Sequence, residues 1–166
     1  MRNVEAKFPL PDLSVARQWA EALGFEYAGT LVQHDTFFVT TTGKLKLREQ
    51  ADGAWLIGYR RHHEQGLELS NYELVAVSEG PKLRALLGAA LGVLGEVHKQ
   101  RTLLRRANVR LHLDQVDDHG SFGELEAVLH EGEDAANGLT EIGSILAALH
   151  IPSEQLIAES YFELRR

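Results

Sequence analysis

The stretch GKLKLREQ, residues 43–50, sets Lys44, Lys46 and Arg48 at alternate positions with Leu45 and Leu47 between them. Successive side chains of an extended chain point to opposite faces, so the three cations share one face and the leucines share the other. A half-buried strand ordinarily turns its leucines to a core and leaves its charges in water. What the charged face looks at depends on whether other strands repeat the pattern.

They do. In NVEAKF (residues 3–8), Asn3, Glu5 and Lys7 alternate with Val4, Ala6 and Phe8, and in EVHKQRTLL (96–104) Lys99 and Arg101 share a face. In VRLHLDQV (109–116), Arg110, His112 and Asp114 oppose Val109, Leu111 and Leu113; in GELEAVL (123–129), Glu124 and Glu126 oppose Leu125, Ala127 and Leu129. NYELVAV (71–77) is a weaker case, with Glu73 as its acid. Alternation and β-branched content mark strands at residues 3–8, 33–39, 44–49, 55–61, 71–77, 96–104, 109–116 and 124–130. Turns such as Thr42-Gly43 and Asp52-Gly53 favour antiparallel pairing.

Three stripes keep helical spacing. Leu13, Ala16, Trp19, Ala20 and Leu23 form the first, introduced by Pro11 and Asp12 and closed by Gly24. Leu83, Leu86, Leu87, Ala90, Leu91 and Leu94 form the second, and Leu139, Ile142, Ile145, Leu146 and Leu149 the third. Amphipathic helices need apolar sheet surface to cover, so the leucine faces are expected outside, beneath the helices, with the charged faces converging on one another. An antiparallel sheet of about eight strands closes into a barrel whose interior just holds side chains or one small ligand. The expected fold is therefore α+β: a closed or nearly closed eight-stranded antiparallel β-barrel with helices packed outside, a single domain over residues 1–166.

The bulk composition narrows the function. Of 166 residues, 44% are apolar and 25% charged, which is ordinary globular composition, and the absence of cysteine excludes disulfides and thiolate metal sites. No apolar run approaches the roughly 18 residues that cross a bilayer and the N-terminus lacks a signal-peptide core, so a cytoplasmic protein with no membrane partner is expected. A net charge of −7 argues against nucleic acid, and the basic run KQRTLLRRANVR has no interleaved aromatics for base stacking. A local basic cluster in an acidic chain points to a small anion instead; a homodimer stays open. No Gly-x-x-x-x-Gly-Lys loop or nucleophile elbow is present, and the eight histidines form no His-x-x-x-His or Glu-x-x-His helix, which speaks against imidazole-bound zinc.

Ions of both signs inside a barrel each cost several kcal/mol unless paired, so such a lumen should serve a ligand. Lys7, Lys46, Arg48, Lys99, Arg101 and Arg110 suit a multiply charged phosphate chain, and Glu5, Asp114, Glu124 and Glu126 suit a hard divalent ion such as Mg²⁺. His112 shares the parity of Arg110 and Asp114, which leaves it between a lumen role and polar packing. Strict alternation puts Arg60 and Arg61 on opposite faces without saying which one turns inward.

These residues resemble the CYTH superfamily, the class IV adenylyl cyclases, thiamine triphosphatases and tripolyphosphatases that share a triphosphate tunnel. The family's opening Glu-x-Glu-x-Lys strand is matched by Asn3-Val4-Glu5-Ala6-Lys7, followed by KLKLRE, the Lys99-x-Arg101 pair, RLHLDQV, GELE and the tail SYFEL. The segment WLIGYRRHHEQGLELSNYELV is most similar to the cyclase-named bacterial branch. The resemblance implies that Glu5, Glu124 and Glu126 bind Mg²⁺ or Mn²⁺ with Asp114 assisting, and that Lys7, Lys46, Arg48, Lys99, Arg101 and Arg110 hold the phosphates. It further implies ATP, thiamine triphosphate or tripolyphosphate as the small-molecule partner, with conversion of ATP to cyclic AMP and pyrophosphate favoured, triphosphate hydrolysis the alternative, and a non-catalytic triphosphate or nucleotide binder a third reading. Asn3 departs from the pattern, replacing the first motif carboxylate with an uncharged amide.

Overall fold

The structure is a computed structural model describing residues 1–64 and 67–164. Its strands are β1 (Arg2–Pro9), β2 (Glu26–Phe38), β3 (Lys44–Gln50), β4 (Gly53–Glu64), β5 (Leu67–Val77), β6 (Val93–Arg106), β7 (Val109–Val116) and β8 (Gly120–Leu129). Three helices, α1 (Leu13–Ala22), α2 (Gly80–Leu91) and α3 (Ala135–Ala148), interrupt or follow them. The strands close in the order β1-β5-β4-β3-β2-β6-β7-β8, every pairing antiparallel. The expected barrel is present, and each expected strand lies within or overlaps an observed one.

The inverted alternation decides which face is covered. Val4, Ala6, Phe8, Leu111, Leu113, Leu125 and Ala127 point outward and pack with Ala16 and Ala20 of α1 and Leu139, Ile142, Ile145 and Leu146 of α3. A second cluster joins Phe38, Leu47 and Ala54 with Leu45, Leu56, Val77, Leu83 and Leu87 beneath α2. Fully burying one such leucine contributes about 1.5–3 kcal/mol, so the hydrophobic stabilisation lies between the barrel wall and its helices. Helix α1 starts where Asp12 Oδ1 accepts from the backbone N–H of Ser14 (2.9 Å) and Val15 (3.1 Å), as its sequence implied. Gly138 lets α3 approach closely, since a Cβ there would lie 2.9 Å from Leu129 Cδ2 and from Val4 Cγ2.

Three expectations are corrected. Strand β2 begins at Glu26, because backbone pairing with β6 carries it past a bulge between Tyr27 and Gly29, where no side-chain alternation marks it. Of the second stripe only Leu83 and Leu87 pack inward: Leu86 and Leu91 are exposed, and Gly92 ends the helix, so that Leu94 belongs to β6 and faces solvent. On β5 the inward residues include Ser70, Tyr72 and Leu74, which leaves Glu73 outside and exposed. No helix among the described residues is long and apolar enough to cross a membrane.

Candidate active site

The inward faces enclose a cavity of about 580 Å³, lined by residues from all eight strands and by Ser160 and Tyr161. The chain after α3 returns to one end of the barrel. Ile157 N–H donates to Lys7 O, Phe162 packs on Phe37, and Tyr161 is buried against Phe122. Lys44, the outermost cation of the opening stretch, secures this segment, donating to Ser160 Oγ and Glu163 Oε2, each at 2.9 Å.

The other two cations of that stretch face a carboxylate that sequence reasoning overlooked. Asp35 Oδ1 accepts from Arg48 Nε at 2.7 Å, and its Oδ2 accepts from Arg48 Nη2 at 2.7 Å, Lys46 Nζ at 3.1 Å and Lys99 Nζ at 3.1 Å. Burial would raise the Asp35 carboxyl, but Arg48, Lys46 and Lys99 hold it well below the usual carboxylate range. The lysines show the reverse effect. Burial, with Arg48 and Lys99 adding repulsion, pushes Lys46 down to about 7 against the pull of Asp35. Lys99 is pushed down to about 8, chiefly by burial. Three cations thus share one carboxylate in a confined space, an arrangement that a polyanion would relieve.

A second group spans β6, β7 and β8. Arg101 Nε and Nη2 donate to the two oxygens of Asp114, both at 2.7 Å, and Tyr161 Oη donates to Asp114 Oδ2 at 2.8 Å. Asp114 is wholly buried, and both its oxygens are engaged in orienting neighbours. Arg101 Nη2 also reaches Glu124 Oε1 at 3.4 Å.

Acids collect where β1, β8 and β7 pair. Cross-strand register aligns Glu5 with Glu126 and Arg110, and, one step along the wall, Lys7 with Glu124 and His112. His112 Nδ1 lies 3.3 Å from Glu124 Oε1 and 3.8 Å from Glu126 Oε1, and one ligand atom from each of the three falls within 4.8 Å of the others. Burial, with the charges of Glu126 and Glu124 nearby, pushes Glu5 up to about 7 although Arg61 opposes it. Crowded carboxylates of this kind, one held short of full ionisation, fit a site for a hard divalent cation. Asn3 Oδ1 is buried beside them with no hydrogen-bond partner among the described residues, which leaves a neutral acceptor facing the lumen.

Residues 1–161 match the family described as the CYTH domain. The chain belongs to the CYTH domain family. A Methanocaldococcus jannaschii protein with a provisional adenylate cyclase name is 26% identical over 175 residues, covering 99% of this chain and 99% of the relative. The PH1012 protein of Pyrococcus horikoshii OT3 has the same fold, with a TM-score of 0.84 at 21% identity over 99% of each chain. A Hippeastrum protein, provisionally an adenylyl cyclase and described as having a dominant triphosphatase activity, aligns with a TM-score of 0.60 at 19% identity, over 90% of this chain and 89% of its own.

Among the candidate residues of this CYTH chain, Lys46, Arg48 and Lys99 converge on Asp35, whereas Arg101 joins Asp114 and Glu124. Glu5 pairs in register with Glu126 and feels the charges of Glu126 and Glu124, and Lys7 donates to Glu159 O at 2.8 Å with its ammonium 4.7 Å from the centre of the Tyr161 ring. Arg110 stands apart, its side chain 40% exposed and 3.8 Å from Glu126 Oε2. Of the two adjacent arginines, Arg61 turns inward, 3.0 Å from Glu5 Oε2 and 3.2 Å from Glu68 Oε2, while Arg60 is exposed. Asp35 was legible by parity with Gln33 and Phe37. Tyr161 carried no such signal, because its place in the lumen depends on a returning terminus.

Proposed function

We propose that this protein is a metal-dependent enzyme that takes a nucleoside triphosphate into the barrel, converting ATP to cyclic AMP and pyrophosphate. The observation that carries the reading is the division of the lumen. Lys46, Arg48 and Lys99 share the single carboxylate of Asp35, and across from them Glu124 and Glu126 crowd together with His112, with Glu5 beside Glu126 on the neighbouring strand. A triphosphate bound to a divalent ion complements both parts, and a cavity of about 580 Å³ falls in the usual range for small-molecule sites. Apolar groups from Leu31, Leu74 and Leu103, together with Tyr72, line the same cavity and suit a base and ribose.

In this reading Lys46, Arg48 and Lys99 neutralise phosphate oxygens and stabilise charge on the departing pyrophosphate, at positions set in advance by Asp35. Arg101 contacts phosphate with its guanidinium plane fixed by Asp114, which acts as a positioning residue. Glu5, Glu124 and Glu126 would hold Mg²⁺ or Mn²⁺, and the bound ion would supply Lewis-acid polarisation of phosphoryl oxygens. Lys7 and Arg110 contribute further positive charge, Arg110 at the solvent side.

Hydrolysis of a triphosphate, with thiamine triphosphate or tripolyphosphate as substrate, is the second reading. It is favoured by the Hippeastrum neighbour's described activity and by a lumen whose charged groups grip the portion that all these substrates share. The discriminating experiment compares ATP with 3′-deoxy-ATP in the presence of each metal and resolves the products. A cyclase forms cyclic AMP from ATP alone, since the ribose 3′-hydroxyl is its nucleophile. Equal phosphate release from both nucleotides with no cyclic AMP overturns the cyclase reading in favour of hydrolysis.

A further inference from the structure

A second set of metal-type donors lies on the outer wall of the barrel. Register pairs His34 of β2 directly with His98 of β6. Their neighbours Gln33, Asp35 and Lys99 line the lumen, so the two imidazoles point away from it. The rings stack with centroids 4.0 Å apart and 16° between their planes. Glu96, on the same face two residues before His98, brings Oε2 to 3.6 Å from His34 Nε2. One ligand atom from each of His34, Glu96 and His98 lies within 4.8 Å of the others.

Behind His34 stands an independent feature. Glu49 of β3, the cross-strand partner of His34, has its Oε2 buried with no hydrogen-bond partner among the described residues. That oxygen is 3.9 Å from His34 Nδ1 and 3.4 Å from Arg84 Nε of α2. A metal-bound histidine almost always donates its second ring N–H to a carboxylate or carbonyl, and Glu49 Oε2 stands where such an acceptor is needed.

We propose that His34, Glu96 and His98 form an outer-wall site for a borderline divalent metal, Zn²⁺ foremost, with Glu49 orienting His34 from behind. Two imidazoles and one carboxylate form the three-ligand set of zinc sites that keep an open fourth position, and imidazole donors select Zn²⁺, Ni²⁺ or Cu²⁺ over Mg²⁺. In the structure His34 Nδ1 lies 3.1 Å from Arg84 Nη1 and accepts its hydrogen bond. Metal binding through Nε2 requires the other tautomer, so Nδ1–H turns to Glu49 and Arg84 keeps only its ion pair with that carboxylate. The site is independent of the triphosphate reading, because none of its residues lines the lumen.

The test is a Zn²⁺ titration of the full-length chain by calorimetry, with Co²⁺ absorption reporting coordination geometry. His112, Glu124 and Glu126 offer zinc a second place, so His98→Ala and Glu126→Gln variants are titrated in parallel. His98 is exposed, and its truncation removes no core contact. The expected result is that His98→Ala loses one equivalent of Zn²⁺ that Glu126→Gln retains, and that Glu49→Gln weakens this equivalent by about 10–100-fold. The proposal is overturned if the parent chain binds no zinc, if His98→Ala binds as many equivalents as the parent, or if every equivalent disappears with Glu126→Gln.

Discussion

Replacing Asp35 by Asn is the most informative perturbation of this lumen. The substitution preserves shape and removes the charge that Arg48 meets through two hydrogen bonds of 2.7 Å and that Lys46 and Lys99 each meet at 3.1 Å. Removing one member of a buried ion pair typically costs about 3–5 kcal/mol, because the remaining charge is left uncompensated. For a chain of this size, about 2–4 °C per kcal/mol converts the loss into a fall in Tm of about 6–20 °C. Bound tripolyphosphate should restore much of it, since it returns negative charge to the three cationic side chains and ligand at about 1,000 times Kd adds about 4.1 kcal/mol. Urea denaturation of parent and variant, each with and without tripolyphosphate, gives the four stabilities needed. A loss below about 1 kcal/mol would mean that water already solvates the three cations. Equal stabilisation of parent and variant by tripolyphosphate would mean that the ligand does not meet them.

Four further outcomes are expected. Lys46 and Lys99, lowered to about 7 and about 8 by burial first and neighbouring cations next, regain their protons when phosphate arrives; calorimetry with ATP at pH 8, in buffers of different ionisation enthalpy, should register uptake on the order of one proton, reduced in Lys46→Met. The unfolded chain binds more protons than the folded one between the lowered and ordinary lysine values, so these two groups make stability rise from about pH 7 to about pH 10.5, whereas ATP affinity falls over the same range. Glu126→Ala should abolish Mg²⁺- or Mn²⁺-dependent turnover while circular dichroism stays unchanged, and parental activity at limiting metal would remove Glu126 from the site. Gly138→Ala should destabilise in urea, overpacking of about 1–3 kcal/mol against Val4 and Leu129 outweighing a helix-propensity gain of about 1 kcal/mol.

Side-chain parity made much of the lumen legible in advance. Strands β1, β3, β7 and β8 are short and keep strict alternation, so Glu5, Lys7, Lys46, Arg48, Asp114, Glu124 and Glu126 could be assigned inward from spacing alone. The same rule misled on β5, where the acid that met the eye, Glu73, lies one position out of phase with Ser70 and Tyr72. It was silent on Arg60 and Arg61, because alternation divides two adjacent arginines without saying which faces inward.

What the sequence determined by itself is therefore periodic: strand and helix identity, the inverted faces, and the sign of charge that each strand presents to its neighbours. Tertiary structure alone decided which charges meet. Asp35 is 64 positions from Lys99 and Tyr161 is 47 from Asp114, so both contacts exist only once the barrel closes and its terminus returns. His34 and His98 are joined in the same way, through a cross-strand register that no local spacing motif can express. The physical reason is that alternation fixes the direction of a side chain relative to its own backbone, whereas pairing depends on strand order and stagger, which are set by closure of the whole sheet.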